Sequence, residues 1–182
     1  MKNILWLVVL VAACSGGGEN PSLVQGKALL AEGKYEAAAA ELSKATAQDR
    51  NSMDAWLYLG HAYHGLKRYD NALAAYVAAK RIDRHSIVPH VAHAKVQIEL
   101  GRVELATTEL NFVVEMDPKN LEALILLGKV SQMPHKLPDG TTGVSRASLE
   151  RAELNLQAAL TLAPGNEEAR RELAKVQQEL KK

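Results

Sequence analysis

The sequence predicts an all-α superhelical solenoid: four helix-turn-helix repeats closed by a C-terminal capping helix. Three observations carry this. First, residues of like size recur every 34 positions, as in Gly26, Gly60, Ala94 and Gly128, in Tyr35, Tyr69 and Val103, and in Ala38, Ala72 and Ala106. Ala45, Ala79 and Val113 keep the same step, as do Arg50, Arg84 and Pro118. Second, 47% of the 182 residues are hydrophobic, alanine is abundant and strand-favouring residues are few, so the chain has material for a helical core. Third, Ser52, Ser86, Asn120 and Asn166 stand where successive first helices should begin, and their side-chain oxygens suit N-caps. A single helix pair cannot bury its apolar face alone, so such repeats stack.

The second repeat, residues 53–86, is the clearest. Trp56, Leu59, Gly60 and Tyr63 precede Tyr69, Ala72, Tyr76 and Ala79. This spacing resembles the tetratricopeptide-repeat (TPR) family, whose repeat reads Trp-x2-Leu-Gly-x2-Tyr and then Ala-x3-aromatic. The resemblance covers roughly residues 19–182. Close crossing of helices A and B calls for a small residue at Gly60, and Ala72 and Ala79 let helix B lie close to its neighbours. Trp56, Leu59 and Tyr63 are expected to fill the space between repeats.

The amino terminus has a different grammar. Lys2 is followed by the apolar run Ile4 to Val11, then Ala12, Ala13 and Cys14. A run this short falls below the ~20 residues that span a bilayer and reads as a signal peptide over residues 1–13. Val11-Ala12-Ala13-Cys14 resembles a bacterial lipobox. That resemblance implies a lipoprotein with acyl chains such as palmitate on Cys14, and more than one chain makes an anchor stable. Ser15, by the sorting rule of enteric lipoproteins, implies the outer membrane on its periplasmic side. Residues 14–20 then form the lipidated cysteine and a Gly-rich flexible tether.

Taking the rest in order, repeats span about 21–52, 53–86, 87–120 and 121–165, with residues 166–182 as the cap. Ser22 at the Trp position gives the first repeat a more polar outer side, as suits a terminal repeat. Pro89 falls in a first helical turn, where a missing N–H costs little, and Pro118 and Pro164 lie in inter-repeat turns. A 12-residue insertion falls near 133–144, and its two prolines and two glycines predict a surface loop, either tolerated or partner-contacting. In the cap, Leu173 and Ala174 are expected to face the fourth repeat.

In TPR proteins ligand contacts come largely from the second, fifth, ninth and twelfth positions of the A helices, which line a concave face. The resemblance therefore implies a peptide-binding groove. Its fifth positions are Leu23, Leu57, Val91 and Ile125, then Arg171 in the cap. The ninth are Lys27, His61, Lys95, Lys129 and Lys175, and the twelfth are Leu30, His64, Ile98 and Gln132. An apolar row beside a basic row suits an amphipathic or extended peptide carrying carboxylates. Apolar fifth and basic ninth positions depart from the carboxylate-clamp subclass, which uses a basic residue and an asparagine there.

Other chemistry finds little support. The 22 basic residues include Lys2 of the leader, leaving 21 against 21 acidic ones, so no basic excess points to nucleic acid. Cys14 is the single cysteine, which excludes an intramolecular disulfide, a Cys-x-x-Cys metal site and covalent haem. His61/His64 and His90/His93 have ligand-like i,i+3 spacing, but no obvious third ligand, and packing is the plainer reading. No catalytic motif or phosphate loop appears, and no small-molecule substrate or cofactor beyond the lipid is implied. The expected function is a non-catalytic scaffold or adaptor binding a segment of another envelope protein. Lipobox and repeats together resemble the lipoproteins that assist assembly of type IV pilus secretins. The alternatives are a structural subunit of a motility, secretion or electron-transfer machine, and an adaptor for peptidoglycan enzymes.

Overall fold

The computed structural model describes residues 19–137 and 140–182. The leader, Cys14 and tether residues 15–18 lie outside the described residues, as do Pro138 and Asp139 of the insertion. Four helix pairs follow one another: α1 (Pro21–Ala31) with α2 (Tyr35–Gln48), α3 (Met53–Gly65) with α4 (Tyr69–Ile82), α5 (Val88–Glu99) with α6 (Val103–Met116), and α7 (Leu121–Val130) with α8 (Arg146–Leu162). Helix α9 (Glu167–Leu180) closes the array. Helices α1 and α3, α3 and α5, and α7 and α9 lie against one another, so the A helices form the inner layer and the B helices the outer.

Each repeat is pinned where its two helices cross. A methyl added to Gly26 would meet the Leu42 side chain at 2.5 Å, one on Gly60 would meet the Tyr76 ring at 2.4 Å, and one on Gly128 would meet Leu156 at 2.4 Å. Leu42, Tyr76, Leu110 and Leu156 occupy one column on the B helices and are all fully buried. Missing side-chain volume on helix A is thus filled by a large residue on helix B. Four apolar clusters built this way run along the array, and Trp56 and Tyr63 pack against both the first-repeat and the second-repeat clusters.

The turn between A and B is also repeated. Gly33, Lys67 and Gly101 take positive φ values of 71°, 56° and 68° one residue past the cap position. The next N–H bonds back five residues in each case, Lys34 to the Leu29 carbonyl, Arg68 to Tyr63 and Arg102 to Gln97. This closure satisfies free carbonyls at the helix end and favours glycine; Lys67 adopts it with a side chain.

Three of the expected N-caps form: Ser52, Asn120 and Asn166 accept from the N–H groups of Ala55, Ala123 and Ala169. Ser86 does not. Helix α5 begins later, at Val88, and Ile87 precedes it without a side-chain cap. The other caps accept from the N–H three residues on, and three residues after Ser86 stands Pro89, which has no N–H to donate; Asp83 Oδ1 accepts from the His85 and Ser86 N–H groups instead. Two caps were not anticipated, Asn20 on α1 and Ser145 on α8. Asn20 also bonds Gln48 at 2.8 Å, so the last tether residues are tied into the first repeat.

The insertion is not wholly irregular. Its described residues include β1 (His135–Lys136) and β2 (Thr142–Gly143), a minimal antiparallel ribbon closed by Leu137 N–H to the Thr141 carbonyl at 2.8 Å. In the cap Leu173 packs on the fourth repeat as expected, but Ala174 is exposed. Ala169, Glu172 and Val176 are the buried face, and Glu172 is paired with Lys175 at 2.9 Å.

Replacing Gly60 with Leu should drive a side chain into the Tyr76 ring. A loss of about 3 kcal/mol is expected from overpacking, or about 10 °C in Tm for a domain of this size. Urea unfolding checks this, and an unchanged midpoint would contradict the helix-crossing argument.

Candidate functional site: the inner face of the A helices

The inner face is organised in rungs. Ninth positions face second positions of the next A helix, 27 residues on, or 39 where the insertion intervenes. Lys27 lies 3.9 Å from Asp54, Lys95 lies 2.5 Å from Glu122, and Lys129 lies 2.9 Å from Glu168. Lys27 also bonds Glu19 at 2.6 Å and sits 4.9 Å above the Tyr58 ring. The Glu19 bond raises its pKa, and the Lys129 bond lowers that of Glu168. The row of lysines is therefore a row of ion pairs bridging consecutive repeats. Each half-exposed pair contributes about 0–1 kcal/mol. Their common direction still aligns neighbouring A helices.

The apolar row is largely used up by packing. Leu23, Leu57, Val91 and Ile125 are only 5–7% exposed and belong to the core clusters. Leu30 and Ile98 are half-buried, Lys175 is exposed on α9, and Arg171 is exposed beside Glu172. Gln132 folds its amide onto the Gly128 carbonyl.

The junction between the second and third repeats differs from the others. Its ninth position is His61 and the facing second position is Val88. His61 Nδ1 lies 3.0 Å from the Tyr76 hydroxyl, and its ring meets Tyr58 edge-on at 5.9 Å. Burial, aided by His64 and Lys95, pushes the His61 pKa down to about 4, so the ring is neutral at pH 7. At the far end of the same helix His64 Nε2 lies 2.8 Å from Glu99.

Behind this junction sits a cluster that sequence reading missed. Glu109 of α6 receives Lys80 from α4 at 2.6 Å and His90 from α5 at 2.6 Å. His93 Nδ1 lies 3.2 Å away but outside bonding direction, and Gln97 Oε1 beside it on α5 is buried without a partner. Burial favours the neutral acid of Glu109, but His93 and Lys80 outweigh it and hold the pKa at about 2. Burial lowers the His90 pKa despite the carboxylate, and the ring stacks on Phe112 at 4.2 Å. Both histidine pairs thus gather at one junction, with packing and ion-pair roles. Among the described residues no group of three His, Cys, Asp or Glu side chains is placed to hold a metal. The signal available in the sequence was the 27-residue offset from lysine to acid; for Glu109 there was none, because Lys80, His90 and His93 meet it through tertiary packing.

On the outer side, a cleft of about 290 Å³ opens between α6, α8 and the ribbon, with Thr107, Asn111, His135, Arg151 and Asn155 among its walls. Ser148 lies buried at its base, 2.9 Å from Ser145 Oγ and 3.5 Å from His135 Nε2.

Residues 23–87 match the family model described as tetratricopeptide repeat. Similar solved structures include a MamA RS-1 double mutant, 19% identical with a TM-score of 0.73, covering 88% of this chain and 85% of that one. YrrB, described as a TPR protein with an unusual peptide-binding site, is 20% identical with a TM-score of 0.68 and coverages of 89% and 78%. The first TPR of Spaghetti (RPAP3), bound to the HSP90 peptide SRMEEVD, is 23% identical with a TM-score of 0.62 and coverages of 74% and 97%. At these identities the likeness shows the fold, which is the TPR solenoid. No curated protein matches this sequence.

His61 makes stability depend on pH. Its folded pKa of about 4 lies below the ordinary 6.5, so the unfolded chain binds the extra proton. The stabilisation is complete above pH 6.5 and is lost as pH falls towards 4. At about 1.4 kcal/mol per pKa unit the loss is on the order of 3 kcal/mol. Tm measured across this range should fall for the wild type and fall less for His61→Gln; identical curves would remove His61 from the explanation.

Proposed function

We propose, from a TPR solenoid with a continuous A-helix face, that the protein is a non-catalytic scaffold whose inner face takes a segment of another protein. The carrying observation is that face itself: five A-type helices, including the cap, present matched positions in one line. Two similar structures support the reading, one bound to a peptide and one with a peptide-binding site. The groove residues are those at the ninth and twelfth positions, Lys27, Leu30, His61, His64, Lys95, Ile98, Lys129 and Lys175. The core-packed Leu23, Leu57, Val91 and Ile125 form its floor.

The lipobox-like Val11-Ala12-Ala13-Cys14 supports anchoring through lipid on Cys14 at the periplasmic side of a bacterial outer membrane. No described helix is long and apolar enough to cross a membrane. The partner is then a segment of another envelope protein, with assembly of a pilus or secretion complex as the favoured setting. The cleft beside the insertion supports a second reading, a structural subunit that meets its machine through the outer face.

Two measurements test this. Cys14→Ala should move the protein from the membrane to the soluble fraction, and full retention in the membrane would overturn the anchor. A photo-crosslinking residue at position 64 should capture the partner in native envelopes, while one at position 105 on α6 should not. The reverse pattern would favour the outer face.

A further inference from the structure

The boundary between the second and third repeats gathers the histidines. The chain has six, and only His135 lies away from it. His61 and His64 are on α3, His85 is in the connecting turn, and His90 and His93 are on α5. The other boundaries are crossed on the inner face by ammonium–carboxylate pairs, Lys27–Asp54, Lys95–Glu122 and Lys129–Glu168. Ammonium and carboxylate groups ordinarily hold their charges between pH 5 and 8, where imidazole titrates.

Two imidazoles here each face a lysine from across the boundary. His61 of the second repeat faces Lys95 of α5 in the third. His90 of the third repeat faces Lys80 of α4 in the second, and both meet Glu109 of α6 at 2.6 Å. The other groups around His61 are the Tyr76 hydroxyl of α4 at 3.0 Å, and His64 and Tyr58 of its own helix. Lys27 of α1 is engaged by Glu19, Asp54 and the Tyr58 ring, and Tyr35 of α2 meets α3 at Gly65. Around His90 the remaining groups are Phe112 of α6 and His93 of its own helix.

A proton on either ring would set a second cation near that lysine where water has little access. The His90 and Lys80 side chains are only 15% and 16% exposed. Burial, then His64 and Lys95, hold the His61 pKa at about 4, and burial lowers that of His90 in spite of Glu109. Glu109, with a pKa of about 2, stays ionised throughout this range. Both imidazoles lie below the ordinary 6.5, so an open boundary binds protons that the closed one excludes. The closed form is favoured above pH 6.5 and loses that advantage as pH falls towards 4. His64 acts in the opposite sense. Its Nε2 lies 2.8 Å from Glu99 of α5, and a proton there strengthens that tie near the helix ends. Opening has a further gain. His93 Nδ1 and Gln97 Oε1 are the two buried side-chain polar atoms without a hydrogen-bond partner among the described residues, and both are on α5. Water reaching them would relieve that cost.

We propose that the boundary between the second and third repeats is a proton-sensitive joint. Near neutral pH it holds the two halves of the solenoid together. On acidification His61 and His90 each set a cation against a lysine of the neighbouring repeat, and this boundary loosens before the others. Such a joint would exist whether or not the inner face takes a peptide. It would also act on that face, because α3 and α5 lie against one another along it.

Hydrogen exchange of the purified protein, read peptide by peptide by mass spectrometry at pH 7 and pH 5, tests this. Rates are divided by those of the unfolded peptides at the same pH. At pH 5 a group moved from 6.5 to about 4 favours the open form by about tenfold or more. Protection of α3, α4 and α5 should therefore fall about tenfold relative to α1 and α9 between the two pH values. In the double variant His61→Gln, His90→Gln the relative fall should be about threefold or less. Glutamine keeps a hydrogen-bonding side chain without a titrating charge. Each variant is compared with itself at two pH values, so any stability it loses at pH 7 does not enter the ratio. An equal loss of protection in all helices would be general acid destabilisation and would overturn the joint. So would a full tenfold fall in the double variant, or no fall in the wild type.

Discussion

The structure depends on how closely helix A can approach helix B within a repeat. Gly26, Gly60 and Gly128 leave out a side chain, and Leu42, Tyr76 and Leu156 occupy the space. Ala94 serves the same column in the third repeat. Once that crossing is fixed, the A–B turn is nearly determined, and the left-handed residue at Gly33, Lys67 and Gly101 follows. Stacking of pairs then exposes one face of each A helix in a common line. Everything at the inner face inherits its spacing from a contact about the size of one methyl group.

The inner face shows how a repeat can hold its neighbours and still carry information. Ion pairs from ninth to second positions are individually weak, but they recur in one direction and neutralise the face. Where the pattern is interrupted, at His61 and Val88, the junction is held from behind by Lys80, His90 and His93 around Glu109. That shared carboxylate is more protected than the surface rungs, with 17% side-chain exposure against 44–54% for the acids of the inner face. Desolvation makes its electrostatics stronger and its loss more costly. The front of this junction is therefore free to differ from the others.

Much of the fold was legible because repetition averages out local ambiguity. Gly60 alone says little, but four small residues at one step define a column, and Ser52, Asn120 and Asn166 cap where that column predicts. Single events escaped. Ser86 lacks the donor that Ser52, Asn120 and Asn166 find three residues on, because Pro89 stands there without an N–H, and the start of α5 moved past it. Asn20 looked like tether because Gly16, Gly17 and Gly18 precede it. At the candidate site, the positions along each helix were readable and their partners were not. Lysine on a helix reads as an available charge until the facing acid, 27 or 39 residues away, is placed. Glu109 was hidden for the same reason, since its three partners sit on two other helices.

The unequal junctions also bear on mechanics. A solenoid bends and twists like a spring, and its compliance is the sum over its joints. Three joints here are cross-braced by Lys27–Asp54, Lys95–Glu122 and Lys129–Glu168, and the joint between α3 and α5 is tied instead by His64–Glu99 near the helix ends and by Glu109 on its outer edge. A load applied along the array would therefore be shared among all four joints rather than gathered at one.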